Sequence, residues 1–181
     1  FYGVIPDIST YGKVAGGGLP FGAVGGTLEA MRWMEYDVDM ERSILVAGTF
    51  NGNPLVTAAG TAVLRRLKDE PKLYTRLNAM GARFRTEINR FAQDEDYPAL
   101  ATGVGSMFWM HTLCGQVKNV RDARQGNPTA SVALRLLYRK NGLHISSHHG
   151  FMSTAHTDQD ITKLIEIHKA AMDELRAQGV W

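Results

Sequence analysis

Cysteine is almost absent from this sequence of 181 residues, which contains only Cys114. A single cysteine cannot form a disulfide within the chain, and it cannot supply the paired cysteines of a zinc site. A chain without disulfides is typical of a reducing compartment. We therefore expect the protein to be cytoplasmic.

Long hydrophobic runs and an excess of one charge are also missing. A membrane-spanning helix would need a run of about 18 apolar residues, and none is present. The 20 basic and 18 acidic side chains leave a formal net charge of only +2. Binding to nucleic acid or to a membrane surface depends on clustered positive charge, so the sequence predicts neither partner.

Besides a short helix predicted over residues 28–36, four longer segments have the pattern of helices. Asn53 and Pro54 predict the start of the first helix, because asparagine caps helix N-termini and proline fits the first turn. Apolar residues at steps of three and four predict a longer second helix over residues 71–93. The first, third and fourth helices are predicted over residues 54–68, 129–140 and 157–175.

Short apolar segments between glycine, proline and polar residues predict the strands. In the first half they cover residues 4–5, 8–13, 21–26 and 44–47. In the second half they lie within residues 99–113 and over residues 143–146 and 151–155. Strands and helices alternate in the first half, whereas the second half groups strands that helices can cover. We predict an α/β fold with one domain over residues 1–94 and a smaller α+β domain over residues 95–181.

Two glycine-rich segments contain the candidate functional residues. Lys13 lies between Gly12 and the triple glycine 16–18, and a lysine amine in a desolvated setting can act as a nucleophile. The loop 48–54 precedes a helix, where backbone N–H groups can bind an anion. Taken singly, such patterns are more often a surface lysine and an ordinary capped loop. Neither segment fits a Walker A or a dinucleotide-binding motif.

Together, the two segments closely resemble the signatures of class III aminotransferases. Residues 6–13 and 16–26 are similar to the segment that carries the cofactor lysine, and residues 48–55 with 58–60 are similar to the second signature. Residues 153–161 resemble the start of the last helix in the glutamate-semialdehyde aminomutase and β-amino-acid aminotransferase branches. The resemblance covers essentially the whole chain, but only the later part of the family's length.

The resemblance implies a pyridoxal phosphate cofactor and a type I fold, to which this chain contributes the later part of the large domain and the small C-terminal domain. Lys13 would form the internal aldimine and then move a proton between the substrate and cofactor carbons. Thr49, with the backbone of Gly48 and Phe50, would bind the cofactor phosphate. In the family this threonine comes from the neighbouring subunit, which implies a homodimer.

A group of histidines stands in the C-terminal half. His149 precedes Gly150, Phe151 and Met152, where some β-amino-acid aminotransferases have an arginine that binds the substrate carboxylate. A charged imidazole could take that role, although a histidine pair in a loop is often only part of the surface. A metal site would need helical spacings that are absent, so none is predicted for His144, His148, His149, His156 and Asp158.

We expect an enzyme that transfers an amino group between an amino acid or amine and a keto acid. A glutamate-1-semialdehyde 2,1-aminomutase would use the same lysine chemistry within one substrate. The family's earlier segments are absent, including the aspartate for the pyridine nitrogen, the aromatic residue that stacks on the ring and the phosphate cup. We therefore expect this chain to be a fragment of an enzyme or one of two pieces that form it. A non-catalytic dimerisation piece and a module that binds a phosphate ligand are the alternatives of other classes.

Overall fold

The computed structural model describes residues 2–35, 41–145 and 147–181. The chain packs as two compact units, of which the first ends at Pro71 and the second begins at Lys72. Within the described ranges, no helix is long and apolar enough to cross a membrane. The helices and strands are β1 (Ile8–Gly12), β2 (Gly22–Gly26), α1 (Leu28–Met31), α2 (Pro54–Asp69), α3 (Lys72–Asp94), β3 (Leu100–Thr102), β4 (Met107–His111), α4 (Val120–Ala123), α5 (Pro128–Lys140), β5 (His149–Phe151) and α6 (Asp158–Ala177).

The first unit combines a β-hairpin with a long helix. Strands β1 and β2 pair antiparallel, from Ile8 opposite Gly26 to Gly12 opposite Gly22. A short 3-10 turn, Lys13–Gly16, follows β1 and packs on α2. In the described part of this unit, Ala15 is the only buried hydrophobic side chain. The first unit therefore has almost no hydrophobic core of its own.

Two predicted strands of the first unit are wrong. Val4 and Ile5 are 78% and 93% exposed and form no strand, and residues 44–47 form none either. The prediction rested on apolar composition alone. A strand also needs a neighbour that pairs with its backbone N–H and C=O groups, and in the described ranges only β1 and β2 pair with each other in this unit.

The second unit is a three-stranded antiparallel sheet, β3-β4-β5, covered by helices on one face. Phe108 and Met110 of β4 are buried on the helix side, where α3 and α6 pack. Met107 and Trp109 alternate with them and are 44% and 45% exposed. This alternation is typical of a sheet with one dry and one open face. The strand predicted over residues 143–146 is wrong for residues 143–145, which pair with no other segment in the described structure, and residue 146 lies outside the described residues. The mixed helix and strand content confirms the α/β class in its broad sense.

Helix boundaries agree closely with the sequence, with one omission. Asn53 caps α2 by accepting a hydrogen bond from the Val56 N–H at 3.2 Å, and Thr157 caps α6 in a reciprocal capping box with Asp160. Helix α4, which Asn119 caps, has no counterpart among the predicted helices. Helix α3 packs within the second unit. The domain boundary at residue 94 stays a prediction about the complete fold.

The core of the second unit encloses a histidine. His168 of α6 is fully buried among aromatic rings, with centroids 4.8 Å from Phe84 and 4.3 Å from Tyr138. Its Nδ1 hydrogen-bonds the Leu164 carbonyl oxygen at 2.7 Å, whereas its Nε2 has no partner in the described structure. Burial disfavours the charged imidazole and lowers the pKa of His168 to about 4.

Lowering the pH should destabilise the second unit through His168. A histidine in an unfolded chain has a pKa of about 6.5, so acidification protonates the unfolded state first. The folded protein keeps His168 neutral down to about pH 4. The loss of stability therefore begins near the unfolded pKa, is complete below the folded pKa, and reaches about 2 kcal/mol between pH 7.5 and pH 5.

Urea unfolding at these two pH values measures the effect. His168→Leu should lose about 2 kcal/mol less than the wild type on acidification, because it has no imidazole to protonate. His144 is exposed, so His144→Leu should behave as the wild type. The same pH dependence in all three proteins would contradict a neutral, buried His168.

Candidate active site

Lys13 occupies a strained position at the end of a strand. It follows the last residue of β1 and begins the 3-10 turn. Its backbone φ of 52° lies in the left-handed region, which residues other than glycine rarely adopt. Strain of this kind costs about 1–3 kcal/mol and persists where the surroundings fix it, most often at functional sites. The Lys13 side chain is exposed, and it makes no hydrogen bond or ion pair within the described ranges.

Small residues allow the turn after Lys13 to pack closely on α2. A Cβ atom at Gly16 would lie 2.5 Å from the Phe21 Cβ, and one at Gly60 would lie 2.9 Å from the Phe21 ring. A Cβ atom at Gly60 would also lie 3.3 Å from the Ala15 carbonyl oxygen. Phe21 therefore fills a space that exists only because both neighbours are glycines. This contact fixes the turn, and with it the backbone of Lys13.

The loop before α2 is built from turns and side-chain caps. The Asn51 N–H donates to the Gly48 carbonyl at 2.9 Å, and the Asn53 N–H donates to the Phe50 carbonyl at 3.2 Å. The Asn51 side-chain amide donates to the Val46 carbonyl at 3.3 Å. These bonds hold the loop in a compact shape directly before the first turn of α2.

The same loop keeps several donors free. In the described structure, the Thr49 hydroxyl and the backbone N–H groups of Thr49 and Phe50 make no hydrogen bond to the chain. They stand a few residues before the N-terminus of a 16-residue helix, where the helix dipole favours negative charge. The loop can therefore bind an anion such as a phosphate group.

The first unit holds Lys13 and the Gly48–Phe50 segment, and the second unit holds His149. The turn that begins at Lys13 packs on α2. The loop that contains Thr49 is joined to α2 through the Asn53 cap. No hydrogen bond joins the two segments to each other in the part of the chain that the structure describes.

His149 lies on β5, on the open face of the sheet. Its ring stacks on Trp109 with centroids 4.9 Å apart and meets Phe151 edge-on at 5.6 Å. Its Nδ1 is buried without a hydrogen-bond partner among the described residues. His149 also lines a groove of about 660 Å³ whose walls include Met152, Ile161 and Leu164. The role of Trp109 as its stacking partner had no signal in the sequence.

A metal site receives no support from side-chain grouping. Residues 2–35, 41–145 and 147–181 contain no cluster of three or more histidine, cysteine, aspartate or glutamate side chains able to hold an ion. In the turn before α6, the His156 Nδ1 instead accepts a hydrogen bond from the Ser153 N–H at 3.0 Å. His156 therefore has a structural role in the turn.

Comparison with known proteins gives one consistent match. The family described as "Aminotransferase class-III" matches residues 1–173. A curated relative, the glutamate-1-semialdehyde 2,1-aminomutase of Clostridium kluyveri, is 32% identical over 169 residues. The matched region is 91% of this chain and 39% of that relative.

Solved structures agree with the sequence match. An omega-transaminase from Sphaerobacter thermophilus has a TM-score of 0.86 and 28% identity, covering 96% of this chain and 40% of its own. A β-phenylalanine aminotransferase from Variovorax paradoxus has a TM-score of 0.83 and 27% identity, covering 97% and 40%. The chain thus spans about two fifths of the length of the proteins it resembles.

The Asn53 cap should control the order of the loop and of the first turn of α2. Asn53→Ala removes the acceptor for the Val56 N–H, which should cost about 1 kcal/mol. Hydrogen–deuterium exchange of the peptide around Val56 should then be about fivefold faster. Asn53→Asp keeps a capping oxygen and should exchange as the wild type. Unchanged exchange in Asn53→Ala would show that the cap does not hold this turn.

Proposed function

Because this chain belongs to the class III aminotransferase family, we propose that its protein transfers amino groups between an amino acid or amine and a keto acid, with Lys13 as the catalytic residue. Enzymes of this family use pyridoxal phosphate. The observation that carries the proposal is the strained, exposed Lys13 held at the end of β1 by a turn that packs on α2. Simple phosphate binding would not require such a lysine.

The residues of the first unit fit the cofactor. The Gly48–Phe50 segment offers a hydroxyl and two backbone N–H groups without partners in the described structure, which suits a phosphate group. The Lys13 amine is exposed and unpaired in the same ranges, which suits a covalent bond to an aldehyde. When bound, pyridoxal phosphate supplies the electron-accepting ring that stabilises negative charge on the substrate carbon.

The residues have separate roles in this proposal. Lys13 Nζ would hold the cofactor, and the same amine would carry a proton to or from the substrate carbon. The Thr49 hydroxyl, with the backbone of Gly48 and Phe50, would bind the phosphate of the partner subunit's cofactor. His149, stacked on Trp109, binds the substrate carboxylate when its ring is charged. The proposed enzyme is cytoplasmic and works as a homodimer with shared sites.

An aminomutase is the second candidate. It is favoured by the curated relative from Clostridium kluyveri, which is named as a glutamate-1-semialdehyde 2,1-aminomutase and is 32% identical to this chain. The solved relatives with the TM-scores of 0.86 and 0.83 are described as transaminases. Incubation with glutamate-1-semialdehyde alone separates the two: an aminomutase converts it without a second substrate, whereas a transaminase needs a keto acid.

Reductive trapping tests the role of Lys13. After addition of pyridoxal phosphate and borohydride, the adduct should map to the peptide that contains Lys13. Lys13→Arg keeps the charge but cannot form the bond, so it should give no adduct, and neither should Lys13→Ala. The protein should be tested at the full length of its relatives, of which this chain spans about two fifths. An adduct absent even then would refute the aminotransferase proposal.

Mixing two inactive variants tests whether Thr49 acts across a dimer. Thr49→Ala removes a hydrogen bond to a charged group and should weaken cofactor binding by about 10–100-fold. Mixed with Lys13→Ala and reassembled at limiting cofactor, it should regain activity, since each hybrid dimer contains one intact site. Random pairing would restore roughly a quarter of the wild-type sites. No recovery would indicate that Thr49 serves its own subunit or has no role.

A further inference from the structure

The sheet of the second unit has two outer edges, and its β3 edge is closed by a side chain. Asn89 of α3 takes the place of a neighbouring strand there. Its Nδ2 donates to the Ala101 carbonyl at 2.9 Å, and its Oδ1 accepts a hydrogen bond from the Ala101 N–H at 2.7 Å. The backbone groups of Ala101 that point away from β4 are therefore satisfied within the unit.

The opposite edge of the sheet is formed by β5. The Met152 N–H donates to the Ser106 carbonyl at 2.9 Å, and the His148 carbonyl accepts a hydrogen bond from the Met110 N–H at 2.7 Å. In an antiparallel pair of strands, bonded and non-bonded residues alternate. Residues 148, 150 and 152 therefore direct their backbone groups towards β4.

His149 and Phe151 alternate with these residues, so their N–H and C=O groups point away from β4. None of these backbone groups makes a hydrogen bond in the described structure. We call the outward N–H and C=O groups of His149 and Phe151 the β5 edge. Unpaired backbone groups of this kind are a template for the pairing of a further strand.

The groove of about 660 Å³ has β5 as one of its walls. Helix α6 forms a second wall, and the segment 143–145 contributes a third, with Leu143 and Ile145 packed on the core and His144 exposed. Successive side chains of a strand point to opposite faces of the sheet. An added strand would therefore direct every second side chain towards an apolar wall, which consists of Ile161, Leu164 and Ile167.

Lys163 gives the groove a positive charge that no side chain neutralises by contact. It lines the groove, is exposed and makes no hydrogen bond or ion pair in the described structure. The carboxylate of Asp160 is engaged elsewhere, because it accepts hydrogen bonds from the Thr157 N–H at 2.7 Å and from the Thr157 hydroxyl at 2.8 Å. An acidic side chain on an added strand would thus complement Lys163.

We propose that the β5 edge and this groove bind an extended segment of the same protein from outside these 181 residues, with apolar side chains at alternate positions and an acidic one near Lys163. Main-chain hydrogen bonds give such strand addition its affinity, and the groove selects the alternate side chains. The chain spans 40% of the solved omega-transaminase, so a protein of that length contains further chain. A tethered segment has a high effective concentration and binds ahead of a free peptide. The inference does not depend on the chemistry proposed for Lys13.

Amide exchange in the protein at the full length of its relatives tests the pairing. The outward N–H groups of His149 and Phe151 should exchange about 100-fold more slowly than unpaired amides, because the added strand accepts their hydrogen bonds. The inward N–H groups of Gly150 and Met152 should be slow in any case and report that β5 is folded. Exchange of the outward amides at the rate of unpaired amides would overturn the proposal.

Phe151→Pro and Phe151→Ala form a matched pair. Proline removes the outward N–H without removing a hydrogen bond to β4, and edge strands tolerate it. The His149 amide should then exchange about tenfold faster, because the added strand has lost one main-chain hydrogen bond. Phe151→Ala keeps the N–H, so its His149 amide should exchange as in the wild type. Equal rates in the two variants would contradict pairing at the edge, and the wild-type exchange decides alone if proline also exposes the inward amides.

A photo-crosslinker identifies the occupant of the groove. p-Benzoylphenylalanine in place of the exposed His144, which lines the groove, should crosslink to a peptide from outside these 181 residues. In protein assembled from isotope-labelled and unlabelled copies, the two joined peptides should always carry the same label, as expected for one polypeptide. Pairs of mixed label would indicate a second copy instead. Mixed pairs, a crosslink to another protein or no crosslink would each overturn the proposal.

Discussion

The position of Lys13 depends on one packing contact in which Phe21 lies against two glycines. Gly16 belongs to the turn after the lysine and Gly60 to the middle of α2, and a side chain at either position would overlap with Phe21. Glycine inside a helix lowers helix stability by about 1 kcal/mol relative to alanine. Here that cost allows the turn to approach the helix closely enough to hold a left-handed Lys13. Local helix stability is thus exchanged for a fixed backbone position of Lys13.

The histidines of the second unit lie in two different environments. His168 is enclosed by Phe84, Phe108 and Tyr138, so it stays neutral and packs as an aromatic ring. His111 and His149 instead stack on Trp109, with ring centroids 6.2 Å and 4.9 Å from the indole. One histidine is therefore enclosed in the core on the dry face of the sheet, whereas the other two stack on an indole on the opposite face.

Features encoded locally could be predicted from the sequence, and those that depend on distant residues could not. The Asn53 cap, the Thr157 capping box and the apolar stripe of α3 are set within a few residues, and all are present. The strand at residues 44–47 failed because apolar residues do not specify a pairing partner. Lys13 and Thr49 were found through a long motif, but their roles remain predictions. The stacking of His149 on Trp109 could not be predicted, because the pairing of β4 with β5 brings together residues that are distant in the sequence.

The uneven burial of the two units indicates how binding and assembly are related. The first unit exposes large apolar side chains, among them Val14 at 78%, Leu28 at 80% and Phe50 at 76%, while the second has an extensive core. Exposed apolar surface on this scale is typical of a part that packs against further protein, and the chain spans about 40% of its solved relatives. Phe50 follows Thr49 directly, so the proposed phosphate loop and an apolar contact surface are the same few residues. If a partner subunit orders Phe50, it also orders the Thr49 donors. A cofactor that binds only the ordered loop then binds more tightly after assembly. By thermodynamic linkage, the bound cofactor must stabilise the assembly by the same free energy.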